Sequence, residues 1–236
     1  CVFVDFLSSA EDPNLKFQYA NLLKFVRLVA FFITLLLPGL YVAITNFHQE
    51  IIPTELLFAI VASRESIPFP IIVEILAMEI SFELIREASL RVPSPIGTTI
   101  GIIGALILGQ AAVEASIVSP ILIIIIAITG ITSFAIPDFY LSFHLRIVRF
   151  LYTIAGFLAG FLGIGIVLFG HLILLCSLKS FGVSYLAPYI PATSKNNKAY
   201  FMPPFWNREK RPYFLNSKRP RKQERVSMKW KYKVDN

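Results

Sequence analysis

Four stretches of this chain run for a membrane-spanning length without a single Asp, Glu, Lys or Arg: 28–47, 92–113, 115–137 and 150–178. A helix needs about 20 consecutive apolar residues to cross the hydrocarbon core of a bilayer, and each run has them. The alternative, buried core helices of a soluble protein, requires enough polar residues to cover the outside. Only 16% of the 236 residues are charged and 56% are hydrophobic, against about 25% and about 45–50% in soluble domains. The expected fold is therefore an all-α integral membrane protein. It has about four transmembrane helices, one amphipathic or interfacial helix and a basic tail.

Charge sets the expected orientation. Residues 1–178 hold 8 Lys/Arg and 12 Asp/Glu, whereas 179–236 hold 14 and 3, so a net −4 body carries a net +11 tail. Positive segments beside a span stay cytoplasmic, which assigns the tail to that side. Lys16, Lys24 and Arg27 precede the first run and place its N-terminal end there too. Both ends inside requires an even number of crossings. Four satisfies this, with 92–137 folded as a hairpin near Ser119 and Pro120, and it puts Arg146 and Arg149 outside against the same trend. Pro38–Gly39 should kink the first span, which membrane helices tolerate when neighbours satisfy the freed carbonyl. The expected division is a remnant over 1–24 leading from a missing soluble part, a membrane domain over 25–179 and a tail over 180–236. Cys1 opens the chain without a methionine or a signal-peptide pattern, which reads as a fragment. Cys1 and Cys176 give no disulfide framework.

Two helical segments carry chemistry. In 70–91 the second half places Glu79, Glu83, Arg86, Glu87 and Arg91 on one arc of about 140°, with Glu83–Arg86 and Glu87–Arg91 at pairing distance. Such a face is either a surface laced with ion pairs or an acidic face that docks a partner or lines a cation vestibule. In 96–118 a stripe of about 100° holds Thr99, Ile103, Leu106, Gln110, Val113, Glu114 and Ile117. Gly97, Gly101, Gly104, Ala105, Ala112 and Ala115 lie opposite, where small side chains let membrane helices approach. A carboxylate within a span is expensive unless it meets water or a partner, so Glu114 marks a site, unless it merely reaches headgroups at the nearby turn. If the stripe lines a pore, Glu114 attracts cations and Val113 or Ile117 forms the gate. In the last run Gly156 and Gly160 have the GxxxG spacing of close packing, and His171 is either titratable or a hydrogen-bonded structural residue.

No catalytic constellation is present, and the chain is expected not to be an enzyme. The glycines over 97–104 follow no strand and lack the lysine of a phosphate loop. His48, His144 and His171 are not at metal-ligand spacing, no Ser or Cys sits in a nucleophile context, and no cofactor or metal is implied. The tail interleaves cations and aromatics at Lys229, Trp230, Lys231, Tyr232 and Lys233. Anchoring on anionic headgroups accounts for this better than nucleic-acid binding, and the tail's composition is that of a disordered segment.

Several phrases resemble a known family. They include Pro53-Thr54-Glu55-Leu56-Leu57, Ala62-Ser63-Arg64-Glu65-Ser66-Ile67-Pro68-Phe69-Pro70 and Glu83-Leu84-Ile85-Arg86-Glu87-Ala88. They continue with Gly109-Gln110-Ala111-Ala112-Val113-Glu114-Ala115, Ser133-Phe134-Ala135-Ile136-Pro137 and Ser177-Leu178-Lys179-Ser180-Phe181-Gly182-Val183. In this order they are similar to the A subunits of GerA-type spore germination receptors, from about Asp5 to Pro191, with Ser66 where the family usually has glycine. The resemblance implies a membrane subunit of a nutrient-responsive receptor. It implies a transporter-like B subunit and a lipoprotein C subunit as partners, an oligomer of A subunits, and a cation path that triggers germination. Two other classes stay open. A stand-alone secondary transporter predicts inverted repeats, which are not visible here. An intramembrane enzyme needs paired catalytic residues at depth, where only Glu114 and His171 stand.

Overall fold

The structure is a computed structural model that describes residues 2–92, 94–187, 189, 190 and 201; the side chains of 90, 94–100, 102 and 103 are not among those described. The described residues form seven helices: α1 (Phe3–Phe6), α2 (Phe17–Phe47), α3 (Thr54–Arg64), α4 (Ile71–Arg91), α5 (Ser94–Glu114), α6 (Pro120–Phe134) and α7 (Phe139–Ser177). A two-residue antiparallel hairpin, β1 (Lys179–Ser180) with β2 (Val183–Ser184), follows α7. The uncharged runs fall on separate helices: 28–47 in α2, 92–113 over α5, 115–137 over α6 and 150–178 in α7. Among the described residues, α2 and α7 are long and apolar enough to cross a membrane, while α6 has 15 residues. α4 has the length but carries six charged side chains, and it is not such a helix.

The chain forms two compact units. The first joins 1–29, 137–139 and 170–236. In it the Phe3 amide donates to the Tyr185 carbonyl at 2.8 Å, and the Phe3 and Phe6 rings lie about 6 Å from the Tyr185 ring. Asp12, wholly buried, accepts from the Ser9 amide at 3.0 Å and from Arg27 Nη1 at 2.7 Å. The start of the expected tail is thus ordered as a hairpin and turn. The tail expectations for 191–200 and 202–236 lie outside the described residues.

The second unit, 30–136 with 140–169, has its core where α2, α4, α5 and α6 meet. Val42, Ile75, Met78, Ala112, Val118 and Leu122 pack there. α2 and α7 touch backbone to backbone. A Cβ on Gly39 would stand 2.7 Å from the Tyr152 carbonyl oxygen, and one on Gly156 would stand 2.5 Å from the Gly39 carbonyl oxygen. Pro38 stays inside α2. Its missing N–H leaves the Thr34 carbonyl without the usual intrahelical donor, and the hydroxyl of the same residue donates to Thr132 Oγ1 of α6 at 2.9 Å.

α7 is two helices joined at a break. Ala159 (φ −139°, ψ 17°) and Gly160 (φ 58°, ψ −139°) leave helical geometry, and the Gly160 pair of angles is essentially open to glycine alone. A Cβ there would also reach within 2.9 Å of His48 Cε1. The His48 ring stacks on Phe161 with centroids 4.4 Å apart. GxxxG spacing implied one role for Gly156 and Gly160; the structure gives them two, contact and break. α5 also ends earlier than the 96–118 pattern suggested. Past Glu114 the chain turns through Ser116 at φ 52°, and the Ile117 amide reaches back to the Ala112 carbonyl. The reason lies downstream, where Ser119 caps α6 by accepting from the Leu122 amide and Pro120 takes the first helical position.

These contacts separate the glycines of α7. Gly156→Ala should lower the thermal midpoint of the detergent-solubilised protein, because the new methyl meets backbone that cannot yield, at a cost of about 1–3 kcal/mol. Gly165→Ala, with nothing within 4 Å, should leave the midpoint unchanged or raise it slightly, since Ala favours helix by up to about 1 kcal/mol.

Candidate functional site

The charged face of α4 turns inward along most of its length. Spacing of four residues puts Glu79 and Glu83 one turn apart, and spacing of three puts Arg146 and Arg149 on one side of α7. The two pairs meet. Arg146 Nη1 donates to Glu83 Oε2 at 2.7 Å, Arg149 Nη2 donates to Glu83 Oε1 at 3.3 Å, and Arg149 Nε stands 3.1 Å from Glu79 Oε1. That last contact is an ion pair by distance but is not aligned as a hydrogen bond, and neither Glu79 oxygen has a hydrogen-bond partner among the described residues. Arg149 is 2% exposed and Glu79 0%.

Arg86 completes the cluster. Its Nη2 donates to Ser133 Oγ of α6 at 2.7 Å, its Nη1 lies 3.7 Å from Glu83, and its guanidinium is held between the Phe82 and Phe134 rings at 4.9 and 4.4 Å. Gly130 on α6 makes room for Phe82, whose ring a Cβ would meet at 2.5 Å. Farther along α4, Glu87 and Arg91 pair with each other at 2.7 Å in the open. So the arc predicted from the sequence splits: Glu79, Glu83 and Arg86 bind α7 and α6, and Glu87 with Arg91 forms the exposed helix pair.

Burial and neighbours tune the α4 groups. Burial raises the Glu79 carboxyl from its ordinary value to about 7, with Arg149 opposing and Glu83 adding to the rise. Burial likewise lowers Arg86 to about 10; Glu83 opposes, and the Arg146 and Arg149 charges add to the fall. Three guanidinium groups therefore crowd around two carboxylates, one of which burial pushes toward neutrality.

A second buried carboxylate went unnoticed in the sequence. Glu74, 1% exposed in the first turn of α4, accepts from Arg64 Nη2 at 2.9 Å and from the Ser119 amide at 3.2 Å. It ties the end of α3 and the α5–α6 turn to α4. The signal was present in the pattern: Glu74 stands alone in the apolar half of α4, where an unpaired carboxylate could not stay charged.

On α5 the small-residue side faces α4. A Cβ on Gly101 would meet Ser89 Oγ at 2.9 Å, and one on Gly104 would meet Ile85 at 3.6 Å. Leu106, Gln110 and Glu114 are exposed and Val113 is half-buried, all on α5; Ile117, also exposed, lies beyond the helix in the turn. The side chains of Thr99 and Ile103, and the surroundings of Gly97, lie outside the described residues. His48 belongs to the α7 break, not to any ligand set, and among the described residues no group of His, Cys, Asp or Glu could hold a metal ion.

The sequence that builds this unit matches a known family. A family model described as the Bacillus/Clostridium GerA spore germination protein matches residues 1–214. The chain belongs to the GerA spore germination protein family. It is 47% identical over 212 residues to spore germination protein KA of Bacillus subtilis strain 168, covering 89% of this chain and 39% of that one. It is 41% identical to spore germination protein GerLA of Bacillus cereus, covering 92% and 44%. It is also 41% identical to spore germination protein A1 of Bacillus subtilis strain 168, covering 77% and 38%. The chain therefore spans about two fifths of the length of these relatives. No solved structure matches it.

Two measurements test the clamp. Arg149→Met should destabilise the protein by about 3–5 kcal/mol, the cost of leaving a buried carboxylate without its cation, and Arg149→Met with Glu79→Gln should recover part of the loss in a thermal-unfolding double-mutant cycle. Because Glu79 titrates higher when folded than its ordinary 4.5, its contribution is complete below about pH 4.5 and is lost as pH rises through about 7. Glu79→Gln should remove that component, so the difference in midpoint between the variant and the original protein should grow in the variant's favour across this window. Arg149 and Glu83 are the charged groups that face it.

Proposed function

We propose that this chain is the membrane portion of a nutrient-responsive spore germination receptor A subunit, contributing to an oligomeric, ligand-gated cation path that triggers germination. Family membership supports the germination role. The observation that carries the path is on α5: its glycine side is occupied by α4, while the lane of Leu106, Gln110 and Glu114 is left open in the single chain. An open, mostly apolar lane that carries Gln110 and Glu114 suits a shared pore, with Glu114 as a ring of carboxylates and Val113 as a dewetting constriction. Thr99, Ile103 and Ile117 would extend the lane. Gly97, Gly101 and Gly104 would set the packing behind it.

In this reading the four uncharged runs cross the membrane and the basic tail is cytoplasmic. Copies of this subunit assemble with a transporter-like B subunit and a lipoprotein C subunit. One observation favours a second reading, a secondary transporter: such proteins use discontinuous spans, and α7 is broken at Gly160. Conductance separates the two. The full chain reconstituted in planar bilayers should pass cations, Glu114→Gln should move the reversal potential toward zero under a salt gradient, and Val113→Ser should raise the resting leak. Solute counterflow without conductance would instead establish the transporter, and no change in leak with Val113→Ser would remove the gate from α5.

A further inference from the structure

A groove of about 320 Å³ runs between α4 and the first turns of α7. The ion pairs set the register of its walls: Glu79 opposes Arg149 and Glu83 opposes Arg146, so the helices run antiparallel and Ile80 lies level with Phe150 while Glu87 lies level with Phe143. Polarity changes in order along it. One end is apolar, with Ile80, Ile147 and Phe150, and it adjoins the uncharged run that starts at Phe150. In the middle Arg146 reaches the wall, its Nη1 on Glu83 and its buried Nε without a hydrogen-bond partner among the described residues. The far end presents Glu87, whose side chain is 58% exposed.

Apolar side chains on a groove beside a membrane-spanning helix are met by acyl chains. Arg146 and Arg149 are the last charges before the uncharged run, which is the level of lipid phosphates in a bilayer. We propose that this groove binds one aminophospholipid of the phosphatidylethanolamine class. Its acyl chain lies over Ile80, Ile147 and Phe150, its phosphate meets the Arg146 guanidinium where that side chain lines the groove, and its ammonium sits at Glu87. The headgroup order, ammonium outside phosphate outside chain, is the order of the groove. Glu87 and Glu83 repel a headgroup that carries only negative charge, so a zwitterion with a hydrogen-bonding ammonium is selected over a purely anionic lipid. Arg91, the exposed partner of Glu87, gives way at little cost because such surface pairs contribute about 0–1 kcal/mol.

The test is lipid competition on the full chain in nanodiscs of mixed phosphatidylethanolamine, phosphatidylglycerol and phosphatidylcholine. Lipid retained on the protein is counted by native mass spectrometry after partial delipidation. Phosphatidylethanolamine should be enriched over its bulk fraction by about fivefold, the effect of roughly one surface charge. Glu87→Gln should return the ratio to the bulk value. Arg146→Gln should lose the retained lipid of every class, and Arg146→Lys should keep it. Should Arg146→Gln fail to fold, Glu87→Gln, an exposed change, still decides. Retention of phosphatidylglycerol equal to or above phosphatidylethanolamine, an unchanged ratio in Glu87→Gln, or no lipid retained above bulk would overturn the proposal; the last would mean that another protein surface covers the groove.

Discussion

The larger unit is arranged around a cluster of charge that is mostly withdrawn from water. Glu79, Glu83, Arg86, Arg146 and Arg149 occupy the junction of α4, α6 and α7, and two of them are almost completely buried. Each charge is tolerable there only because the others are within a few ångströms. The pairing opposes a change of register: sliding α4 by one turn so that Glu79 meets Arg146 would set the apolar Ile75 opposite Arg149 and leave that buried cation with no carboxylate. Apolar packing alone would not resist such a slide, since one Ile or Leu replaces another with small loss.

Glu74 has the same function at the opposite end of α4. By holding Arg64 and the Ser119 amide it fixes where α3 ends and where α6 begins. The α5–α6 turn is thereby set, and with it the place where α5 must stop. Glu114, the carboxylate that the proposed path depends on, sits at that stop. Its position is a consequence of a buried ion pair on a different helix, a link between packing and function that no single-residue view of α5 reveals.

Much of this could be read from residue order. The uncharged runs each fall on one helix, and the charge arc of α4 and the glycine side of α5 were visible as periodicities. What stayed hidden was pairing over distance. Arg146 and Arg149 were read only as evidence on orientation, because a sequence does not say that a three-residue spacing on one helix is meant for a four-residue spacing 60 residues earlier. Pro38–Gly39 was legible as a kink, yet Gly39 is required by Tyr152 and Gly156, which only the crossing of α2 and α7 brings near. Gly160 was legible only in part: it packs closely against Phe47 and His48, but a packing glycine and a chain-breaking glycine look alike until the backbone angles are known. The α5 terminus was placed too late because the apolar pattern continues through a turn that Ser116 makes at positive φ.

The break in α7 has a further consequence, for fit between protein and bilayer. As one straight helix the uncharged run 150–178 would be about 43 Å long, well over the roughly 30 Å of a hydrocarbon core. A rigid rod of that length would have to tilt steeply or thicken the lipid around it. Two shorter rods joined at Gly160 need do neither, since each takes its own inclination. The fit of this run to a bilayer then depends on a backbone angle as well as on the number of apolar residues.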